Sequence, residues 1–425
     1  MSIYNQYMYS YPHKLAYGKL ENVNLSDYVK YLNGNDNTLY IHIPFCEGKC
    51  GYCNLFSLAG QKSDLVDTYI NSISNQAKQY KECFRENNID VKFSDLVLGG
   101  GTPMYLSCEN LQRIFDIAKD MGYIGQNAVV ETSPRQTTMD KLRILKNNNV
   151  KRISIGVQSF NESELTTLNR IHTPDHIRTA MEAILKTGFD CVNMDIIYGI
   201  PNQTMESLKY SIDEALKYNP DELFVYPLYI KKDTYLYNKN ARVNPMAEEM
   251  YRFIRPYFIE RGYIGLSMRR FVKKEKAISC INQSKSCGFD TTLSLGCGGR
   301  SYLGNLHFCN PYKVKQSECK DELMKFISTK DYCKINHGYI LDDDEQKRRF
   351  VIKNILFATG INLDEYKKRF NGNLISDFPI INEWITKGYV KYVKNIIKIT
   401  EEGVIHSDEI GPLLMSEEVK CKMYK

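Results

Sequence analysis

At 425 residues the chain is long enough for one large core with an appendage and too long for a peptide hormone or a small stapled scaffold. Its 43% hydrophobic and 25% charged residues are those of a folded globular protein, which excludes wholesale disorder. The 56 basic and 50 acidic residues leave a net charge of +6 that is spread along the chain and not gathered in one arm, so the charge asks for no nucleic-acid partner.

In chain order, residues 1–35 read as an N-terminal arm. Residues 38–45 (TLYIHIPF) form a first strand, 64–88 a long amphipathic helix, and 95–98 a second strand ending in Gly99-Gly100-Gly101. Helix 108–121, strand 127–131, helix 138–147, strand 152–156, helices 162–169 and 175–187, strand 191–196, helix 204–217 and strand 222–228 follow. Strands separated by helices over residues 36–230 predict parallel βαβ units, which close into a partial (βα)6 TIM-like barrel with its site at the C-terminal ends of the strands. Past residue 230 the rhythm breaks: helix 246–261 and the Gly- and Cys-containing run 280–310 predict a lid and barrel-closing segment over 231–340. Residues 341–425 predict a small helical domain of winged-helix character, with helices 343–358, 363–370 and 378–387 and the hairpin YVKYVKNIIKITEEG. No basic recognition helix accompanies Lys391, Lys394 and Lys398 of that wing, so they read as a solvated face. The fold class is α/β with a smaller helical appendage.

No run of eighteen apolar residues is present and the N-terminus is polar and aromatic, so the chain is expected to be cytoplasmic, neither exported nor membrane-spanning. Its 13 cysteines are then thiols, nucleophiles or metal ligands and not a disulfide framework. Three stand together in Cys46-Glu-Gly-Lys-Cys50-Gly-Tyr52-Cys53, a C-x3-C-x2-C loop leaving the first strand. Three thiolates on one loop can hold three irons of a cubane cluster and leave the fourth open to a ligand, whereas a Zn site usually wants four protein ligands; three structural thiols are the plainer alternative. Cys280, Cys287, Cys297, Cys309, Cys319 and Cys333 are irregularly spaced and read as buried thiols, with an auxiliary cluster as the alternative. Other candidates gather at strand ends: the glycines at 99–101, where backbone can approach a ligand closely, and Glu131, Gln158 and Asp195, polar side chains converging on one barrel mouth. No histidine has ligand-like spacing, and no catalytic side chain is assigned.

The cysteine loop with Tyr52 before its last thiol resembles the radical S-adenosylmethionine (SAM) superfamily. The wider pattern resembles its oxygen-independent coproporphyrinogen III oxidase-like branch: Tyr40-Ile-His-Ile-Pro-Phe-Cys46, Gly99-Gly-Gly-Thr-Pro103, Glu131-Thr-Ser-Pro-Arg135, Ser154-Ile-Gly-Val-Gln-Ser-Phe160, Asn169-Arg170-Ile-His172 and Asp195-Ile-Ile-Tyr-Gly-Ile-Pro201. The resemblance implies a [4Fe–4S] cluster on Cys46, Cys50 and Cys53, SAM in contact with Tyr40, Gly100 and Glu131, and a second SAM beside Tyr52, Gly101, Thr102, Gln158, Arg170 and Asp195. It also implies a small-molecule substrate and an electron donor such as flavodoxin or ferredoxin, with no membrane and no nucleic acid involved and the chain a monomer. The sequence departs from the branch in places. Leu55 stands where the oxidase carries a further cysteine, and Ser267-Met-Arg-Arg-Phe271 where heme-chaperone relatives carry a histidine motif. Arg300 stands where relatives show a small or apolar residue, so it is a candidate clamp for a substrate carboxylate or phosphate, with Arg269 and Arg270 on the same lid. The expected reaction is cleavage of SAM to a 5′-deoxyadenosyl radical followed by C-methylation from a second SAM or a related modification. Coproporphyrinogen-type oxidative decarboxylation and non-enzymatic heme binding are the alternatives.

Overall fold

The structure, a computed structural model, describes Met8 and residues 10–34, 36–277 and 291–423. Its strands are β1 (Gly18–Asn24), β2 (Asn37–Ile43), β3 (Phe93–Gly100), β4 (Tyr123–Thr132), β5 (Val150–Gln158), β6 (Cys191–Tyr198), β7 (Glu222–Pro227), β8 (Tyr263–Gly265), β9 (Arg270–Lys273), β10 (Thr292–Leu295), β11 (Ser301–Leu303), β12 (Leu306–Phe308) and β13 (Lys334–Ile340). They form a 13-stranded sheet in the order β1-β13-β12-β11-β10-β2-β3-β4-β5-β6-β7-β9-β8. Strands β2 to β7 pair in parallel and in chain order, as the alternation of strands and helices predicts.

Period-two alternation decides which way each central strand faces. In β3, Leu96 and Leu98 are fully buried while Asp95, Val97 and Gly99 take the other face; Ile153 and Ile155 alternate with Ser154 and Gly156 in β5, and Met194 and Ile196 with Asn193 and Asp195 in β6. The apolar sets join the helices Ser63–Glu86, Cys108–Asp120, Met139–Asn147, Pro174–Thr187 and Met205–Leu216 in one large core. The other face of the sheet is polar. Asn127 donates to Asp95 (3.2 Å), Asn193 to Ser154 Oγ (2.7 Å) and to Asp195 (2.8 Å), and Arg152 and Arg270 both pair with Glu222. A polar interior of this kind encloses a cavity and not a packed core.

The stretch expected as a lid mostly extends the sheet. β10 runs parallel beside β2, with Leu293 opposite Leu39, and β11 to β13 continue antiparallel to β1 of the N-terminal arm; β8 and β9 extend the other edge beyond β7. Most of these strands are three or four residues long, too short for period two to show in a sequence. A further helix, Gln316–Ile327, was not expected.

The C-terminal region has its own core around Trp384, Tyr366 and Phe350, into which Met8, Tyr11 and Tyr17 of the arm are buried. The expected hairpin is β15 (Val390–Val393) and β16 (Ile396–Ile399), with β14 (Ile361–Asn362) as a third strand. Arg269 and Arg270 are not available as substrate clamps. The Arg269 guanidinium is buried against Asp408 and the Tyr229 hydroxyl, and Arg270 pairs with Glu222 at the base of β7. Among the described residues no helix is long and apolar enough to cross a membrane.

Candidate functional site

Beyond β2 the chain makes a short parallel bridge, Phe45–Cys46 with Leu58–Ala59; Cys46 ends its first strand, and the loop that follows carries Cys50 and Cys53. Backbone contacts fasten that loop: Gly51 donates to Leu168 O (2.7 Å), Leu236 N donates to Gly51 O (2.8 Å), and Asn169 Nδ2 donates to Lys49 O (3.0 Å). Each thiol has a polar neighbour. Thr102 Oγ1 lies 3.6 Å from Cys46 Sγ, Arg170 Nη1 2.8 Å from Cys50 Sγ, and Ser57 Oγ 3.9 Å from Cys53 Sγ. Burial, with Cys53 nearby, pushes Cys46 up to about 12, and burial with Cys50 raises Cys53. Such thiols ionise when a cation joins them, which is the behaviour of a metal-ligand set. Among the described residues no three His, Cys, Asp or Glu side chains are close enough to hold a single ion. A cubane asks for one cysteine per iron, and three thiols spread along one loop beside an arginine fit that demand.

The thiols open on a cavity of about 1270 Å³, more than a typical drug-sized pocket. Its walls hold Tyr52 from the loop, Gly100, Gly101 and Thr102 after β3, Glu131 of β4, Gln158 of β5, Asp195 of β6 and Arg170. The sheet register explains the convergence, since Glu131 lies beside Ser154 and Gly156 beside Asp195. Both glycines are sterically required. A Cβ on Gly101 would lie 2.8 Å from Cys46 Sγ, and Gly100, at φ +116°, would drive one to within 2.7–2.9 Å of the His42 ring. Gly100 N donates to Glu131 Oε2 (3.2 Å), and Arg170 Nη2 donates to Gly156 O (2.7 Å). Gln158 has a left-handed backbone, φ +72°.

Glu131 presents its carboxyl to the cavity with protein on its other sides, and desolvation followed by the charge of Asp195 raises it to about 7. Asp195 rises to about 6 through burial, against the hydrogen bond from Asn193 and the charges of Arg152 and Arg170. The pair therefore changes charge near neutral pH and is suited to a cationic ligand.

Two expected residues do not line the cavity. Tyr40 lies behind it, its hydroxyl 3.1 Å from His42 Nδ1 and beside Gly99. Arg300, the expected substrate clamp, is turned to the N-terminal arm, where Nη1 donates to Ser10 Oγ (2.6 Å), and is absent from the cavity lining. Conversely, His13 and Leu15 of the arm, His172, Arg135, Lys231, Lys232, Lys313 and Tyr312 line the cavity without having been expected. The tandem Lys231-Lys232 just past β7 was a usable signal; nothing in the spacing linked His13 to the cysteines. His13 and His172 are both held neutral at about 3, first by burial and then by neighbouring cations. Cys297 and Cys319 are buried, Cys309 and Cys333 half-buried, and Cys280 and Cys287 lie outside the described residues.

The Radical SAM superfamily profile matches residues 40–215. The heme chaperone HemW of Bacillus subtilis is 26% identical over 393 residues, 89% of this chain and 99% of that protein. The oxygen-independent coproporphyrinogen III oxidase of Synechocystis sp. is 26% identical over 386 residues, 86% of this chain and 78% of that protein. The structure of coproporphyrinogen III oxidase from Escherichia coli, described as a radical SAM enzyme, superposes with a TM-score of 0.81 at 22% identity, over 96% of both chains. Proteins of this kind use a [4Fe–4S] cluster and SAM. With the three-cysteine loop at the mouth of six parallel strands, the profile marks residues 40–215 as a radical SAM domain, and over most of its length the chain is similar to proteins of the oxygen-independent coproporphyrinogen III oxidase-like branch.

Proposed function

We propose that the protein is a radical SAM enzyme that holds its cluster on Cys46, Cys50 and Cys53 and acts on a carboxylate-bearing small molecule of tetrapyrrole size. The observation that carries the reading is the single cavity of about 1270 Å³ onto which the three thiols, the Glu131 and Asp195 carboxylates and a set of cations all open. Bound there, the cluster supplies the electron that splits SAM into methionine and a 5′-deoxyadenosyl radical.

The chain's own residues bind, orient and exclude water. Arg170 donates to the Cys50 sulfur and holds it in place at the cavity wall. The Gly100–Thr102 turn would let backbone approach SAM closely, and Glu131 and Asp195 would receive its positive charge and hydroxyls. Lys231, Lys232 and Lys313 in the cavity lining suit substrate carboxylates, while Leu15, Leu55 and Ile171 give the cavity apolar edges. Holding the reacting atoms together in this enclosure is the protein's main contribution to rate. Tetrapyrrole size rests on the names of the two wide-coverage relatives, which are an oxidase of coproporphyrinogen III and a heme chaperone. Neither of those names points to methyl transfer, so C-methylation becomes an outcome of the test and not the leading reading.

Anaerobically reconstituted protein, reductant and SAM are combined with coproporphyrinogen III, with heme, or with neither. Formation of 5′-deoxyadenosine supports the reading, and release of CO2 in step with it assigns oxidative decarboxylation. A stable heme absorbance band with no turnover assigns heme binding, and S-adenosylhomocysteine assigns methyl transfer from a second SAM. No 5′-deoxyadenosine from cluster-loaded protein refutes the enzyme reading.

A further inference from the structure

Outside the cavity, two thiols far apart in the chain, Cys83 and Cys333, are held against each other. Cys83 lies in the last turns of the helix Ser63–Glu86, and Cys333 immediately precedes β13. Gln79, one helical turn before Cys83, fixes the loop of Cys333 from both sides: its Nε2 donates to Lys330 O (3.1 Å) and its Oε1 accepts from Tyr332 N (2.8 Å). Cys333 Sγ then sits 3.7 Å from Gln79 O, which brings it onto Cys83 and within hydrogen-bonding reach of that thiol. On its other side Cys333 O accepts from Leu25 N (2.8 Å), so the loop is anchored to the arm as well. The contact is therefore enforced by the Gln79 side chain and the Leu25 amide, both bonded to backbone of the Cys333 loop, and does not depend on the thiols themselves.

We propose that Cys83 and Cys333 are a reversible modification site, a dithiol that closes to a disulfide and cross-links the long helix to the edge of the sheet. Cys333, the half-exposed member, attacks a sulfur of an external low-molecular-weight disulfide and releases one thiol; buried Cys83 then attacks the mixed disulfide and releases the second. One external S–S bond breaks for the one that forms, both protein thiol protons leave on the released thiols, and the external disulfide is the oxidant. Burial, with Glu86, Asp27 and Asp331 nearby, holds both thiols above the ordinary cysteine value, so the pair rests reduced and exchanges slowly. The bridge would span more than half of the chain, which favours a large effect on the unfolded state.

The test uses the anaerobic, cluster-loaded protein treated with oxidised glutathione, quenched with acid, alkylated and digested. The expected product is a linked Cys83–Cys333 peptide lighter by two hydrogens than its two free-thiol peptides together, with reversal by dithiothreitol, unchanged iron content and a melting temperature shifted upward. Exposed Cys108 and Cys421 serve as internal controls that keep stable glutathione adducts. In C83S the mixed disulfide is trapped on Cys333, and in C333S neither bridge nor adduct forms at Cys83. Separate adducts or separate alkylation at Cys83 and Cys333 in the unsubstituted protein overturn the proposal, as does bridging of either one to another cysteine. Peptide mapping of the unsubstituted protein decides even where a variant does not fold.

Discussion

Replacing Arg170 with methionine keeps a long flexible side chain and removes the guanidinium that joins Cys50 Sγ (2.8 Å) to Gly156 O (2.7 Å). A hydrogen bond to a charged group contributes about 1.5–3 kcal/mol, so the Cys50 thiolate should lose about 10- to 150-fold of its hold on iron. Lysine restores less than the full effect, because one ammonium lacks the planar fork that spans both acceptors. A sulfur deprived of its donor also keeps more electron density, which moves the cluster potential to more negative values. The assay is iron retained by anaerobically reconstituted protein after a timed chelator challenge, paired with potentiometry followed by electron paramagnetic resonance. The expected order of iron loss is R170M fastest, R170K intermediate and unsubstituted protein slowest, with the potential falling in the same order. Iron retention and a potential unchanged in R170M would refute Cys50 as a cluster ligand supported by Arg170.

Three further outcomes follow from the same geometry. Glu222, with a side chain 1% exposed, sits between Arg152 and Arg270; burial pushes its carboxyl up, but the two guanidiniums outweigh burial and hold it down at about 2. Because the folded value is depressed, its contribution of about 3 kcal/mol is fully present above the ordinary glutamate range and is lost as pH falls through about 2. E222Q should therefore cost about 3–5 kcal/mol in urea unfolding at neutral pH, with the deficit shrinking as the solution is acidified below about pH 4. Gly100→Ala forces a Cβ into the His42 ring at a φ of +116°, and the expected result is a loss of about 1–3 kcal/mol in stability with SAM binding weakened in equilibrium dialysis. Arg269→Met leaves Asp408 buried without its charge partner and should cost about 3–5 kcal/mol, while R269M combined with Asp408→Leu should recover most of it. A change in substrate KM without loss of stability would return Arg269 to the role of substrate clamp.

What the sequence allowed to be read follows element length. β3 to β6, of eight to ten residues each, carry enough alternation to stand out, and their ends placed Gly100, Glu131, Gln158 and Asp195 on one rim. β8 to β12 have three or four residues, so their pairing, which widens the sheet on both sides, left no periodic trace. Alternation also separates apolar from polar faces without saying that the polar face is hollow. That follows only when Asn193, Ser154 and Asp195 are seen bonded to one another. The surroundings of Arg300 were hidden for a related reason. A glycine-rich run shows that backbone passes close to something, and only the packed structure shows that the neighbour is Ser10 of the arm.

The two halves of the cavity are specified in different ways. On the barrel side, each contributing residue sits at or near the end of its own strand, so local sequence is enough to place it. The opposing wall depends on a chain of long-range fastenings. The Tyr11 hydroxyl donates to Glu345 and accepts from Ser416 N, Ser10 is held by Arg300, Lys14 stacks its ammonium 3.7 Å from the centre of the Tyr312 ring, and Tyr312 donates to Asn54 O (2.7 Å) next to Cys53. The arm is thus fixed between the C-terminal core and the cysteine loop, and His13 and Leu15 are carried to the cavity as a result. The opposing wall joins the arm, the Lys231-Lys232 pair and Met423 of the C-terminal helix, and substrate choice is expected to follow them.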